Sequence, residues 1–240
     1  MSRLTQKPAV LGLDLFQSTT DTAFSTYIGE KAVSSDGREF VLVYVGGSNI
    51  AAGLLCQAPA IVANHQNIAV ASAAAIGATS VTVTLGATAA TANQYAGGYL
   101  VVNDVTGEGQ TLRIASHPAA NLSTSLVVTL EDAVVTALTT SSEVCLIANP
   151  YNGIVVNPTT PTGVPVGVTL YAVTASTYAW IQTKGPIACL NNGGTAVGLG
   201  LAPSTTTAGA LDTVAATTTQ VATALQAGVS TEYRTVSVLL

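Results

Sequence analysis

The chain is poor in charge: only 8% of its 240 residues are Asp, Glu, Lys or Arg, against about a quarter in an ordinary soluble domain. Small apolar residues, Thr, Ser and Gly stand in their place. A surface of this composition is either neutral and rich in hydroxyl groups or covered by other chains, because so few charges do little to keep neighbouring molecules apart. We favour burial in an assembly.

Clustered basic residues and long apolar runs are also missing. The seven Lys and Arg residues are scattered from Arg3 to Arg234, and the net charge is -5, whereas a nucleic-acid surface needs clustered basic side chains. Polar residues interrupt every apolar run before the roughly eighteen residues that a membrane helix requires. The N-terminus lacks the apolar stretch of a signal peptide. We therefore predict no nucleic-acid partner, no membrane partner and folding in a cytosol.

No pattern of catalytic or metal-binding residues stands out. Cys56, Cys145 and Cys189 are odd in number and far apart, which favours small buried apolar residues over metal ligands or disulfides. His65 and His117 fall in loop-like contexts without acidic or cysteine neighbours at metal-ligand spacing, so we predict surface side chains. No nucleophile elbow and no dinucleotide-binding loop occurs. We predict a non-enzyme with no cofactor and no metal.

The clearest structural signal is a β-hairpin predicted over residues 167–186, which contain the only tryptophan. Side chains of alternating character occupy 168–173 and 178–183, with a polar turn between them. Tyr178 and Trp180 share one face of the second strand and are predicted as core or surface anchors. Pro186 has no N–H for a sheet ladder, so we predict that Gly185-Pro186 ends this strand.

Further strands are predicted elsewhere in the chain. Residues 38–45 follow the turn Asp36-Gly37 and are predicted to form a strand that is apolar from Phe40 onward, and residues 232–240 alternate in character. Residues 211–225 are ambiguous: their apolar spacing permits a short helix, whereas their β-branched residues argue against one.

The middle of the chain contains a weak internal repeat. Segment 80–91 aligns with 125–136, and segment 100–103 aligns with 146–149 after one inserted residue. Two interpretations stay open, because strands built from Val, Thr and Ala also match by chance. A true repeat would make this region a barrel or sandwich of two similar halves.

We therefore predict an all-β chain of small antiparallel β-barrel or sandwich domains with an extended N-terminal arm. The arm comprises residues 1–26. Residues 27–75 and 150–240 form the β domain that contains the hairpin, and residues 76–149 form an inserted barrel or sandwich.

Three phrases of the sequence carry a resemblance to a known class of protein. They are SDGREF at 35–40, Ala52-Gly53, and TASTYAWIQTKG at 174–185. Together with the charge-poor composition, the irregular N-terminal arm and the closing strand, they resemble virion structural proteins of tailed bacteriophages. In particular, the chain looks like the capsid decoration, or cement, proteins, which are small β-rich proteins on the outside of a capsid shell.

The resemblance implies a location on the virion, after synthesis in the host cytoplasm. It implies that the chain binds the outer capsid surface and cements neighbouring capsomers, with the major capsid protein and copies of itself, as a dimer or trimer, for partners. The alternative is a head-fibre or receptor-binding β protein in which Trp180 and the tyrosines form a carbohydrate platform.

We assign the capsid or subunit contact to the apolar side chains of the arm, Leu11, Leu13, Leu15 and Phe16. Such residues are poor choices for a solvated tail, so docking on this subunit or on a neighbouring one is expected. Deletion of residues 1–20 is expected to abolish capsid binding while leaving the β domain folded.

Overall fold

A computed structural model describes residues 4–6, 13–193, 196–215 and 218–240. Nearly all regular structure in these residues is β-strand, with short 3-10 helices at Thr22–Tyr27 and Ala63–His65. The strands form barrel-like sheets, which confirms the predicted all-β class. Within the described residues, no helix is long and apolar enough to span a membrane.

The strands are numbered in chain order. The first five are β1 (Leu4–Gln6), β2 (Ser18–Thr19), β3 (Lys31–Ser34), β4 (Glu39–Val45) and β5 (Leu55–Gln57). The next six are β6 (Ile68–Ala69), β7 (Ser80–Thr84), β8 (Tyr99–Asp104), β9 (Thr111–Ser116), β10 (Ser125–Leu130) and β11 (Glu143–Ile147). The last seven are β12 (Asn152–Val156), β13 (Pro165–Thr169), β14 (Tyr178–Leu190), β15 (Gly200–Pro203), β16 (Leu211–Thr213), β17 (Ala222–Ala224) and β18 (Tyr233–Leu239).

The chain divides into two compact units. Residues 1–60 and 150–240 form the first unit, and residues 61–149 form the second. Residues 61–75, which the sequence analysis assigns to the first domain, lie in the second unit, because β6 pairs with β11 through Glu143↔Ala69.

The first unit contains a closed ring of strands, here called the central barrel, made of β4, β12, β5, β13 and β14. Antiparallel pairing of β4 with β14, from Tyr178↔Tyr44 to Lys184↔Glu39, closes the ring. The predicted hairpin is present as β13 and β14, paired at Val168↔Gln182. Its core is built from small and β-branched residues, including Val41, Val43, Val45, Ile154, Val166, Ala179 and Ile181.

Residues 13–26, here called the N-terminal segment, cover the outer face of the central barrel. Alternation in β4 and β14 points Phe40, Leu42, Tyr178 and Trp180 away from the barrel interior, where they form a second core. Leu13, Leu15 and Phe24 complete that core from the N-terminal side. β4 reads as a continuous apolar run because it is buried on both faces.

The predicted extended arm is therefore corrected for residues 13–26. β2 pairs with the start of β14, and Asp21 caps the 3-10 helix by accepting a hydrogen bond from the Ala23 N–H at 2.9 Å. Packing on β4 and β14 removes the apolar side chains of this segment from water, whereas an extended tail would leave them exposed.

The prediction that Gly185-Pro186 ends the hairpin strand is wrong, since β14 continues to Leu190. At Lys184 the strand leaves β4 and pairs with β18. The Thr183 carbonyl accepts from the Leu240 N–H on the β18 side. Since backbone groups alternate between the two edges of a strand, the nitrogen of Pro186 points to the opposite edge of β14, where no ladder N–H is needed. There the Gln182 Nε2 donates to the carbonyls of Lys184 and Pro186 at 3.1 and 3.0 Å.

The second half of β14 begins another barrel in the same unit, here called the C-terminal barrel. Its strands follow the order β14, β18, β17, β15 and β16, and a bridge between Asn191 and Leu211 brings the ends together. The predicted closing strand is present as β18. In the described part of 211–225 the chain forms β16 and β17 and no helix, as its β-branched residues favour.

The second unit is a six-stranded sheet, here called the insert barrel, in the order β6, β11, β8, β9, β10 and β7. A bridge between Val70 and Val83 joins its ends. The repeat segments lie against each other: Ser125 faces Thr84 while Thr129 faces Ser80, and Leu146 faces its equivalent Leu100. If each repeat segment is exchanged with its equivalent, the same types of residue still face each other at these positions. A duplicated pair of strands related by an approximate twofold axis would have this property.

The prediction of surface histidines is wrong, because both lie inside the insert barrel. His65 is 0% exposed and His117 is 3% exposed. The His65 Nε2 bonds to the Thr88 carbonyl at 2.9 Å, and its Nδ1 bonds to the Tyr95 hydroxyl. His117 accepts from the Tyr95 N–H through Nε2 at 3.0 Å and bonds to the Pro118 carbonyl through Nδ1 at 2.8 Å.

These partners fix the protonation of His117. The Nε2 accepts a backbone N–H and the Nδ1 faces a carbonyl, so the proton lies on Nδ1 and the ring is neutral. Burial lowers the pKa of His117, and it also raises the pKa of Tyr95 to about 12. A second proton on His117 would break its bond with the Tyr95 N–H.

The insert barrel is therefore expected to lose stability in mild acid. The folded pKa of His117 lies below its ordinary value of 6.5, so below that pH the unfolded chain binds more protons and unfolding becomes easier. Hydrogen exchange of β7 to β11 at about pH 7.5 and about pH 5.5, a range in which histidine titrates, measures the effect. The first unit contains neither histidine and is the internal control. Equal protection of the insert barrel at both pH values would contradict the expectation.

Candidate interaction surface

An apolar groove of about 500 Å³ lies on the first unit. Its lining comes from the N-terminal segment, the hairpin, the second half of β14 and the start of β18. The principal apolar side chains are Phe16, Leu170, Ile187 and Tyr233. Phe16 is 61% exposed and Tyr233 is 52% exposed, so two aromatic rings stand at the solvent boundary of the groove.

Local packing holds the two aromatic rings in place. The ring of Phe16 lies 6.3 Å from that of Tyr171, centre to centre. Tyr233 packs over Gly53, where a Cβ would lie 2.8 Å from the Tyr233 ring and 2.9 Å from the Ala188 carbonyl oxygen. Gly53 also has a φ of +65°, which favours glycine. The Ala52-Gly53 phrase is thus part of the groove.

The charges beside the groove are paired within the chain. Arg38 contacts Asp36 at 2.8 Å, and Lys184 contacts Glu39 at 2.9 Å. A hydrogen bond from Ser34, together with the Arg38 contact, lowers the pKa of Asp36, and a hydrogen bond from Lys184 lowers the pKa of Glu39. The groove therefore offers apolar contact area with little net charge, which suits a partner that is itself apolar at this point.

The structure separates the four predicted contact residues. Leu13 and Leu15 are 8% and 4% exposed and belong to the core over β4 and β14. Phe16 is exposed on the groove. Leu11 lies outside the described residues. Of the predicted contacts that the structure describes, only Phe16 can reach a partner without unfolding the segment.

Trp180 and Tyr178 lie in the core. Trp180 is 2% exposed, Tyr178 is 6% exposed, and the Trp180 indole N–H donates to the Leu13 carbonyl at 3.1 Å. A tryptophan in this position cannot stack on a sugar while the N-terminal segment is in place. The carbohydrate platform considered from the sequence therefore has no exposed Trp180 to rest on.

Cysteine and metal chemistry add nothing to this surface. Cys56 and Cys189 are buried and Cys145 is half-buried, all as free thiols. Burial raises the pKa of both Cys56 and Cys189, which keeps them protonated. Among the described residues, no group of three or more His, Cys, Asp or Glu side chains is arranged to hold a metal ion.

Tyr233 and Ile187 are groove residues that the sequence analysis did not select. Tyr233 lies in the strand predicted over residues 232–240, whereas Ile187 lies in the part of β14 beyond Pro186, where no strand was predicted. Which edge of each strand stays uncovered depends on the change of partner of β14 from β4 to β18. Comparison of the chain with protein-family models, curated proteins and solved structures finds no match.

Proposed function

We propose that this chain is a virion structural protein that binds the outer surface of a tailed-phage capsid and cements neighbouring capsomers. The observation that carries the proposal is the neutral, aromatic groove around Phe16 and Tyr233 on a chain that has few charges. An exposed apolar groove on a charge-poor surface is a typical site of protein association. The sequence resemblance supplies the class of partner.

The proposed mechanism is linkage to the assembled shell. A protein that binds the lattice and not the free subunit stabilises the lattice by mass action, and bridging two capsomers adds to this effect. In this proposal the groove contacts the major capsid protein, and copies of the chain associate as a dimer or trimer on the shell.

Quantitative mass spectrometry of purified virus particles tests the function directly. The copy number of this chain is compared with that of the major shell subunit. A fixed simple ratio that matches the lattice is expected. A handful of copies per particle would indicate a fibre or vertex component, and absence from particles would contradict a virion role.

Phe16→Ala is expected to weaken binding to undecorated capsids by about tenfold or more, because a central aromatic anchor is a typical hot spot. Cosedimentation of the variant with capsids measures the loss. Val164→Ala is the matched control, since Val164 is 62% exposed in the same unit and does not line the groove. Unchanged binding of Phe16→Ala, with Trp180 fluorescence showing a native fold, would exclude the groove as the capsid contact.

Phe16→Ala tests the groove contact more specifically than deletion of the N-terminal arm does. The expectation that deletion of residues 1–20 leaves the β domain folded is corrected by the structure. The deletion takes away Leu13 and Leu15 and uncovers Trp180, so it is expected to destabilise the first unit in addition to removing Phe16. Lost binding after that deletion would not separate the two effects.

A further inference from the structure

A charged side chain points into the C-terminal barrel. Side chains of β18 alternate between outside and inside, and Arg234 shares the inner face with Val236 and Val238. Arg234 is 2% exposed. A guanidinium among apolar residues needs hydrogen-bond acceptors and a counter-charge, because it carries five N–H donors and stays charged in proteins.

The residues that the structure describes do not supply these acceptors. In the described residues, the Nε, Nη1 and Nη2 atoms of Arg234 have no hydrogen-bond partner. The nearby carboxylate of Asp212 is engaged by the Asn192 amide at 3.1 Å and by the Thr213 N–H at 2.9 Å. Burial lowers the pKa of Arg234, and the neighbouring Cys189 and Asp212 oppose this shift only in part.

A second buried polar side chain, that of Asn191, lies close to the side chain of Arg234. Asn191 is 0% exposed, its Nδ2 donates to the carbonyls of Gly193 and Val229, and its Oδ1 has no partner in the described residues. A Cβ at Gly228 would lie 2.6 Å from the Arg234 Cδ and 2.9 Å from the Asn191 Nδ2. The two side chains therefore converge beneath the turn that contains Gly228.

The cover over this spot is thin and polar. Gly228 is half-exposed and Ser230 is exposed, and the Ser230 hydroxyl donates to the Asn192 carbonyl at 3.0 Å. Around it the Asn192 side chain bonds to Thr206, Thr207 and Asp212. Because Arg234 is 2% exposed, a small ion that binds its guanidinium group requires this turn to shift.

We propose that this polar end of the C-terminal barrel binds a small oxyanion that carries an O–H group, such as hydrogen phosphate or bicarbonate. The anion oxygens accept from the planar guanidinium fork of Arg234, which matches oxyanions in geometry. The O–H group donates to the Asn191 Oδ1. Sulfate satisfies the first requirement and fails the second, and chloride, which has no oxygen atoms, satisfies neither. This site is separate from the groove and does not depend on the proposed virion function.

Thermal unfolding followed by the fluorescence of Trp180 tests the site, because the only tryptophan lies in the same unit as Arg234. Phosphate, bicarbonate, sulfate and chloride are titrated separately at constant ionic strength and neutral pH. Phosphate or bicarbonate is expected to raise the unfolding midpoint by about 3 to 6 °C at tenfold over its dissociation constant. Sulfate and chloride are expected to give a clearly smaller shift, because they leave Asn191 without a donor.

Arg234→Met is expected to lose this stabilisation, and Arg113→Met, at an exposed arginine of the insert barrel whose side chain is 43% exposed, is expected to retain it. Equal shifts with sulfate and phosphate, or a phosphate shift retained in Arg234→Met, would overturn the proposal. If Arg234→Met fails to fold, the titration of the natural chain decides, and the lack of any phosphate or bicarbonate shift would overturn it.

Discussion

Trp180→Ala is expected to lower the free energy of unfolding of the first unit by about 3 to 5 kcal/mol. The substitution removes the largest side chain from the core that Leu13, Leu15 and Phe24 share with β4 and β14. The cavity cannot close easily, because β14 is held by β4 on one edge and by β13 on the other. It also leaves the Leu13 carbonyl without the indole N–H that it accepts.

Chemical denaturation followed by far-ultraviolet circular dichroism measures this loss, since the fluorescent side chain is gone. Trp180→Phe is the matched variant: it keeps most of the apolar volume and removes only the N–H donor, so a smaller loss of about 1 to 3 kcal/mol is expected. A loss below about 1 kcal/mol for Trp180→Ala would mean that the N-terminal segment does not depend on Trp180 for its position.

The same substitution reaches the proposed function through Phe16. Leu13 and Leu15 are fixed by the core around Trp180, and Phe16 follows them directly onto the groove. If that core loosens, Phe16 pays more conformational entropy on binding. Weaker capsid binding by folded Trp180→Ala is therefore expected even though Trp180 itself is buried.

Local pattern predicted the strands well, because alternation is a property of neighbouring residues. Tyr178 and Trp180, which are predicted to share one face of their strand, both lie in the core outside the central barrel, and the alternate residues Ala179 and Ile181 both lie in the core inside it. The cover over Trp180 could not be derived in this way. Its hydrogen-bond acceptor is Leu13, 167 residues away in the sequence, and no periodicity connects the two positions.

At Pro186 the rule that proline ends a strand does not hold, because the tertiary structure leaves no need for its missing N–H. Proline does remove a ladder donor, and the sequence alone gives no sign that β14 changes partner at Lys184. Once β4 has left, the edge that Pro186 faces needs no N–H, and Gln182 satisfies the carbonyls there. The strand then continues at no loss of hydrogen bonding.

The candidate sites were less predictable than the strands. Phe16 was selected with Leu13 and Leu15 on apolar character alone, and only tertiary packing decides that Phe16 faces outward. For Arg234 a signal was present: its spacing from Val236 and Val238 places it on their face of β18. Whether that face is buried depended on the closure of the C-terminal barrel, which single-strand patterns do not reveal.

Gly98→Ala is expected to destabilise the insert barrel by about 3 kcal/mol. A Cβ at this position would lie 2.1 Å from the Ile147 carbonyl oxygen and 2.9 Å from the Asn149 backbone nitrogen. Both obstacles are backbone atoms, which a change of rotamer cannot move. Relief requires β8 to shift against β11 beside the Tyr99↔Ile147 pair, which disturbs the pairing of these two strands.

Hydrogen exchange of β8 and β11 measures this effect, and Gly47→Ala is the control, because a Cβ there meets nothing within 4 Å. The groove lies entirely in the first unit, so Gly98→Ala is expected to leave the Trp180 unfolding transition and Phe16-dependent capsid binding unchanged. Unaltered exchange in β8 and β11 would show that the two strands can separate at Gly98 without loss. Reduced capsid binding by this variant would instead show that the insert barrel takes part in attachment and that the groove is not sufficient.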